Sequence, residues 1–299
     1  MFNAYFAGIQ CREAEDYIEK QKLLRLLSYH NDKKRFEERS EKGLVTFLDS
    51  GAFTAWTKDA KIDVEEYIQY TDKWDKGLSY FMQIDDIPGT RDVAPTMDQI
   101  LEANKNTWEN FIYMFSKVKS PEKLVPVYHF GSNPANLDRI LNFEPKVDLL
   151  ALGALVGQPK AQREAFLTTV FEQVKKSNNP DIKIHALGVH DFRILEKFPL
   201  YSADATSWIM VGATGNIMTK YGNILVSVES TEKKNHFENQ KPAVQEELLK
   251  MMVERGFTYK GLSTTYQDRM VWNLMDIEQR CINYEYKPQP KQRSLFGGM

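Results

Sequence analysis

Short apolar runs recur along this chain, and all but the first stop abruptly at an acid, a histidine or a glycine. Leu44-Val45-Thr46-Phe47-Leu48 stops at Asp49-Ser50-Gly51, and Ser79-Tyr80-Phe81-Met82-Gln83-Ile84 stops at Asp85-Asp86. Leu124-Val125-Pro126-Val127-Tyr128 runs into His129-Phe130-Gly131, and Val147-Asp148-Leu149-Leu150-Ala151-Leu152 into Gly153-Ala154. Ile182 to Leu187 ends at Gly188-Val189-His190, and Leu200 to Ala203 ends at Asp204; Tyr5 to Ile9, which ends differently, reads as a first short strand. Mostly apolar runs of this length are the mark of strands covered on both faces.

Between the runs the period changes to that of a helix. Glu13 to about Tyr29 places Ile18, Leu23, Leu26 and Leu27 at helical spacing, and a densely charged stretch follows from Asn31 to Lys42. Asp63 with Glu66 is a capping box that starts a helix running to about Lys76, and Thr96 with Gln99 starts a longer one through Trp108, Phe111 and Phe115. Asn133-Pro134 supplies an N-cap and a first-turn proline, Lys160 to Lys176 is helical, and a short helix is expected over Phe192 to Lys197. Seven strands, each followed by a helix or loop and with no long polar linker, predict a TIM (β/α)8 barrel, an α/β fold. The eighth strand is sought near Trp208 to Val211. Beyond Asp204, Gly215 to Lys220 and Asn223 to Val228 flank Tyr221-Gly222 as an antiparallel hairpin inserted after strand 7. Helices over Glu246 to Arg255 and Gln267 to about Asn283 complete one domain, residues 1–283, and 284–299 with Lys287, Lys291 and Arg293 is expected to be a flexible basic tail.

Composition narrows the function classes. The 299 residues are 42% hydrophobic and 27% charged with a formal net charge of −2, so a polyanion partner would have to be met by a local surface. Cys11 and Cys281 are the only cysteines, which excludes a Cys-rich zinc site and a disulfide framework and suits a reducing compartment. With no run long enough to span a membrane and no basic lead-in to a signal peptide, a cytoplasmic protein is expected.

In a parallel barrel the residues just past the strands gather at one mouth. Asp49, Asp85, Asp86, His129, Gly153, Gly188, His190 and Asp204 all take that position here, forming a polar pocket with acid, base and nucleophile candidates. Paired carboxylates can divide labour between a nucleophile and a proton carrier when their surroundings separate their pKa values. Glycines at strand ends let a flat ligand lie against the backbone. Together they favour exchange at an anomeric carbon with a planar leaving group. A metal is the alternative, since Asp and His are good ligands, but no His-x-His or His-Glu-x-x-His spacing occurs.

These same residues carry a resemblance. Asp49-Ser50-Gly51-Ala52-Phe53 resembles the Asp-Ser-Gly-Gly-Phe motif of the tRNA-guanine transglycosylase superfamily. The likeness continues in order through Ile84-Asp85-Asp86, Val127 to Gly131, Ala151 to Gly157, His185 to Val189, Ser202-Ala203-Asp204 and the hairpin from Thr214 to Asn223. It spans about Leu44 to Val228. The resemblance implies a TIM barrel that exchanges guanine for a 7-deazaguanine at the glycosidic bond without a cofactor. Asp204 would be the nucleophile on C1′ and Asp49 the general acid/base. Asp85 would bond the donor edge of the base, the backbone at Gly153 and Ala154 would face its carbonyl side, and His129 stands where the family usually has a base-contacting glutamine. Ser50, Gly51, Phe53, Leu187 and Gly188 complete the implied base-binding set.

Three departures shape the expectation. The family's zinc ligands are absent, Trp208-Ile209-Met210-Val211-Gly212 replaces the basic motif after the nucleophile, and the chain is short for a tRNA enzyme. These features resemble the compact phage branch, the DpdA proteins, that inserts 7-deazaguanines into DNA. The implied partners are therefore DNA and a free 7-deazaguanine of the preQ0 type, with tRNA as the alternative and a non-catalytic nucleic-acid-binding subunit as a further one. Duplex DNA would have to yield its target nucleoside by extrusion, with Phe53, Trp56, Tyr128 and Trp208 as candidates for stacking.

Overall fold

The structure is a computed structural model and describes residues 2–8, 10–90, 93–189, 194, 197–230 and 234–284. His190, most of the expected helix from Phe192 and the basic tail with Lys287, Lys291 and Arg293 lie outside the described residues. Its strands in chain order are β1 (Asn3–Phe6), β2 (Leu26–Ser28), β3 (Thr46–Asp49), β4 (Leu78–Met82), β5 (Leu124–Val125), β6 (Val127–His129), β7 (Leu149–Gly153), β8 (Lys183–Ala186), β9 (Ser202–Ala205), β10 (Asn216–Thr219) and β11 (Gly222–Leu225). Parallel strands alternating with helices in sequence order make this a TIM-like α/β fold. Among the described residues the chain divides into two compact units, one of Leu24–Asp204 and one built from two separate stretches of the sequence, up to Leu23 and from Ala205 to Tyr284.

In the Leu24–Asp204 unit β2, β3, β4 and β5 pair in parallel in turn, and so do β6, β7, β8 and β9. Leu26, Leu27 and Ser28 lie opposite Phe47, Leu48 and Asp49, and Phe81 and Met82 lie opposite Leu124 and Val125. His129 lies opposite Gly153, and His185 opposite Ser202. Pro126 has no N–H to give to a ladder and separates β5 from β6, while its carbonyl still accepts from Ala151 N–H at 3.0 Å. Phe47, Leu48, Phe81, Leu150, Ala151, Leu152, Ile184 and Ala186 are all buried, as parallel strands covered on both faces require. The helices start where their caps dictate. Asp63 accepts from Glu66 N–H ahead of Val64–Lys73, Thr96 and Gln99 close a reciprocal capping box ahead of Met97–Lys117, and Asn133 accepts from Ala135 N–H ahead of Pro134–Leu141. Each such cap is worth about 1 kcal/mol.

The second unit packs around the helix Tyr266–Ile282. Its Trp272 joins Ile217, Ile224, Val226, Phe237, Leu248, Met252 and Leu262 in one buried cluster beneath the β10–β11 hairpin. Two polar residues of that helix are buried and matched to backbone. Asn273 accepts from Met218 N–H and donates to Trp208 C=O, and Arg269 donates to the carbonyls of Gly212 and Leu262.

Three expectations are corrected. The helix expected to run from Glu13 to Tyr29 stops at Lys20, Lys22 takes a left-handed conformation with φ of 54°, and β2 follows. The charged stretch after it is itself a helix, Tyr29–Glu41. The eighth strand sought near Trp208 is instead the helix Ser207–Ala213, where Trp208 is fully buried and its indole donates to Ala7 C=O at 3.0 Å. Trp208 is a core residue and unavailable for stacking.

Candidate functional site

The site is built at the carboxyl ends of the parallel strands of the Leu24–Asp204 unit. β3 delivers Asp49, and Gly51 follows with φ of 80°, which turns the chain at once into the helix Ala52–Thr57. Only glycine fits there, because an added Cβ would lie 2.5 Å from Ser28 Oγ and 2.6 Å from His30 Cβ. The turn brings Gly51 N–H back to donate to Asp49 Oδ2 at 3.1 Å. Ser50 is buried, and its hydroxyl accepts from Ala52 N–H at 3.3 Å, so it shapes the turn.

Asp85, just past β4, is bound by His129 from the end of β6, with Nε2 at 2.9 Å from Oδ2. The imidazole lies across Gly153, whose hypothetical Cβ would come within 2.5 Å of His129 Cδ2. Ala154 follows in a left-handed conformation, φ 56°, which a residue with a Cβ adopts at a cost of about 1 kcal/mol. Asp86 turns away, accepting from Asn106 Nδ2 at 2.8 Å.

Asp204, near the end of β9, is almost enclosed, with about 10% of its side chain exposed. Its Oδ1 accepts from Gly188 N–H at 2.9 Å and lies 3.2 Å from His185 Nε2. His185 Nδ1 in turn is 2.8 Å from Ser202 Oγ. Leu187 N–H is tied to Leu152 C=O, which fixes the strand end that presents Gly188. Val156 packs beside Gly188 while remaining 69% exposed.

Asp49 feels both other acids. Burial foremost, then the charges of Asp85 and Asp204, push its carboxyl up to about 7 against the pull of the Gly51 N–H. Asp32, bound to Ser28 N–H at 3.0 Å, adds a smaller push. A carboxylic acid with a pKa near 7 can both give and take a proton at neutral pH.

Of the aromatic candidates, Phe53 is 66% exposed and leans on Trp56, with ring centroids 5.8 Å apart. Trp56 donates to Gly89 C=O at 3.0 Å, tying the Ala52–Thr57 helix to the loop after Asp85. Tyr128 is buried, stacked on Phe166 and bonded to Ser132 C=O, so it belongs to the core and not to the mouth.

Sequence reasoning brought Asp49, Asp85, His129, Gly153, Ala154, Gly188 and Asp204 to strand ends, and the structure places them there. Ser28 lies in the stretch with helical spacing and Asp32 in the charged stretch after it, and nothing in the sequence marks either or gives His185 and Ser202 a role. Ser28 Oγ is buried with no hydrogen-bond partner among the described residues, directly against the Asp49 turn. Among the described residues no three His, Cys, Asp or Glu side chains cluster as metal ligands would. No described helix is long and apolar enough to cross a membrane.

No family model matches the sequence, and no curated protein matches it. Among solved structures, the chain is similar to mutant tryptophan synthase alpha-subunits from the hyperthermophile Pyrococcus furiosus. One is 12% identical with a TM-score of 0.41, covering 72% of this chain and 93% of that one. A second is 12% identical at 0.38, covering 71% and 92%, and a third 11% identical at 0.39, again covering 71% and 92%.

Proposed function

We propose that this chain is a DNA-guanine transglycosylase, a pentosyltransferase that exchanges guanine for a 7-deazaguanine through a covalent bond between Asp204 and C1′ of deoxyribose. The reading is supported above all by two neighbouring carboxylates in unlike surroundings. Asp204 has one oxygen anchored and its side chain still reachable, whereas Asp49 holds its proton up to about pH 7. That is the division between nucleophile and acid/base that displacement at an anomeric carbon needs.

In this reading Asp49 protonates the departing guanine and takes the proton of the entering base. The pair Asp85 and His129 meets the base's polar edge, and the exposed Phe53 offers an apolar face at the rim. The target nucleoside leaves the DNA stack to reach Asp204, because C1′ within a duplex is closed to an in-line attack. The protein would act in the cytoplasm, that of the host if phage-encoded.

The test is incorporation of labelled guanine or 7-deazaguanine into matched DNA and tRNA by the purified protein. Label should enter DNA and be lost in Asp204→Asn, which should still bind the free base. Label in tRNA alone would replace DNA by tRNA as the substrate. Label in neither, with nucleic acid still bound, would overturn the enzymatic reading in favour of an accessory subunit.

A further inference from the structure

Ser202, His185 and Asp204 form a continuous hydrogen-bonded chain, of which only Asp204 enters the proposed chemistry. Its members are those of a hydrolytic triad, but its polarity in space is reversed. Ser202 and His185 have no exposed surface, whereas Asp204 retains some at the strand end. A hydroxyl that substrate cannot reach is no nucleophile, so the chain acts on Asp204.

Geometry fixes how. An ionised Asp204 can only accept hydrogen bonds, so the facing His185 Nε2 must carry its proton. Ser202 Oγ, 2.8 Å from Nδ1, is placed to donate there and so to hold the ring in that tautomer. Phe47 packs on the imidazole, with centroids 5.0 Å apart, and limits its rotation. Oδ1 of Asp204 thus receives two donors, His185 Nε2–H and Gly188 N–H, while no hydrogen bond to Oδ2 is made among the described residues.

We infer that His185, with its tautomer set by Ser202, is a positioning residue that clamps Oδ1 of Asp204 and reserves Oδ2 for bonding to C1′. This rests on the transglycosylase reading. In the first half-reaction an Oδ2 lone pair forms the C–O bond as the C1′–N bond breaks. Its electron pair goes to the purine nitrogen, which takes a proton from Asp49. Asp204 is then an ester whose carbonyl oxygen is Oδ1. In the second half-reaction the entering base's nitrogen forms the new C–N bond and its proton passes to Asp49, while the C–O electron pair returns to Oδ2. Two donors on Oδ1 stabilise the carboxylate as it departs, so the clamp chiefly accelerates this second half.

Two measurements test it. Nitrogen-15 NMR of the imidazole in the full-length protein reports the tautomer without any substrate: Nε2 should be protonated, and a bare Nε2 would overturn the clamp whatever the reaction proves to be. Kinetically, His185→Phe should lower turnover by at least about tenfold, as loss of one hydrogen bond to a charged group implies, leave KM for the incoming base unchanged and raise the fraction of DNA trapped on the protein in denaturing gels. His185→Gln, which restores an N–H donor, should recover most of the loss. If the phenylalanine variant does not fold, Ser202→Ala should give the same pattern more weakly. Wild-type adduct levels and turnover in a folded His185→Phe would overturn the role. Absence of adduct and exchange in the wild type would instead count against the transglycosylase reading, leaving the tautomer to decide the clamp.

Discussion

Asp49 and Asp204 bring the same side chain to the ends of β3 and β9, and their surroundings separate them. Asp204 Oδ1 sits between two donors, whereas Asp49 has one backbone donor set against burial and two nearby acids. An unfolded aspartate ionises near pH 4. Native Asp49 keeps its proton to about 7, so its contribution favours the folded state below pH 4 and is lost as pH rises to 7. Asp49→Asn should therefore be more stable than wild type at pH 8 by on the order of 2 kcal/mol, allowing for solvent screening at a partly open site. At pH 4 the two should converge. Urea denaturation at both pH values measures this, and a difference that does not change with pH would refute the assignment. The same variant should lose base exchange, having no proton to give.

At the scale of elements, backbone conformation decided what periodicity could not. The helix Arg12–Lys20 ends because Lys22 is left-handed, a position where glycine is normally the signal. Lys22→Gly should raise stability by about 0.5–1 kcal/mol, read as a higher melting temperature, and an unchanged or lower one would show that the lysine is not strained there. With a lysine at that position nothing in the sequence announced the stop, and Leu26 and Leu27 continued a helical pattern into what is β2. Long apolar runs ending in acid or glycine were legible, since burial on both faces leaves no competing period. Trp208 to Val211 was equally apolar but curls into a helix whose Gly212 packs tightly on Met270. The two carboxylates were legible from strand-end position alone. His185 and Ser202 were not, because their meeting depends on register. Ser202 and Asp204 share a strand face two residues apart, and only the pairing of His185 with Ser202 brings the ring to both.

At the scale of the molecule, the unit that contains Tyr266–Ile282 draws on two separate stretches of the sequence. Tyr17 Oη donates to Glu278 at 2.5 Å, Cys11 Sγ meets Met270 Sδ at 4.0 Å, and Phe2 sits edge-on to Tyr284 at 5.7 Å. Ala14 and Ile18 of the first helix have no exposed surface. A chain ended at residue 204 should leave that helix without its apolar partners, and limited proteolysis should cut after Arg12, Lys20 and Lys22 far faster than in the whole protein. Unchanged protection would refute the partnership. The Tyr17 bond closes a separation of 261 residues. On a ribosome adding roughly 5–20 residues per second, the amino-terminal segment waits on the order of half a minute for its partner helix to be made. Strands from β2 to β9 can begin pairing during that interval, so the helix Arg12–Lys20, made before them, is among the last elements to find its place, and a chaperone has that long to hold it.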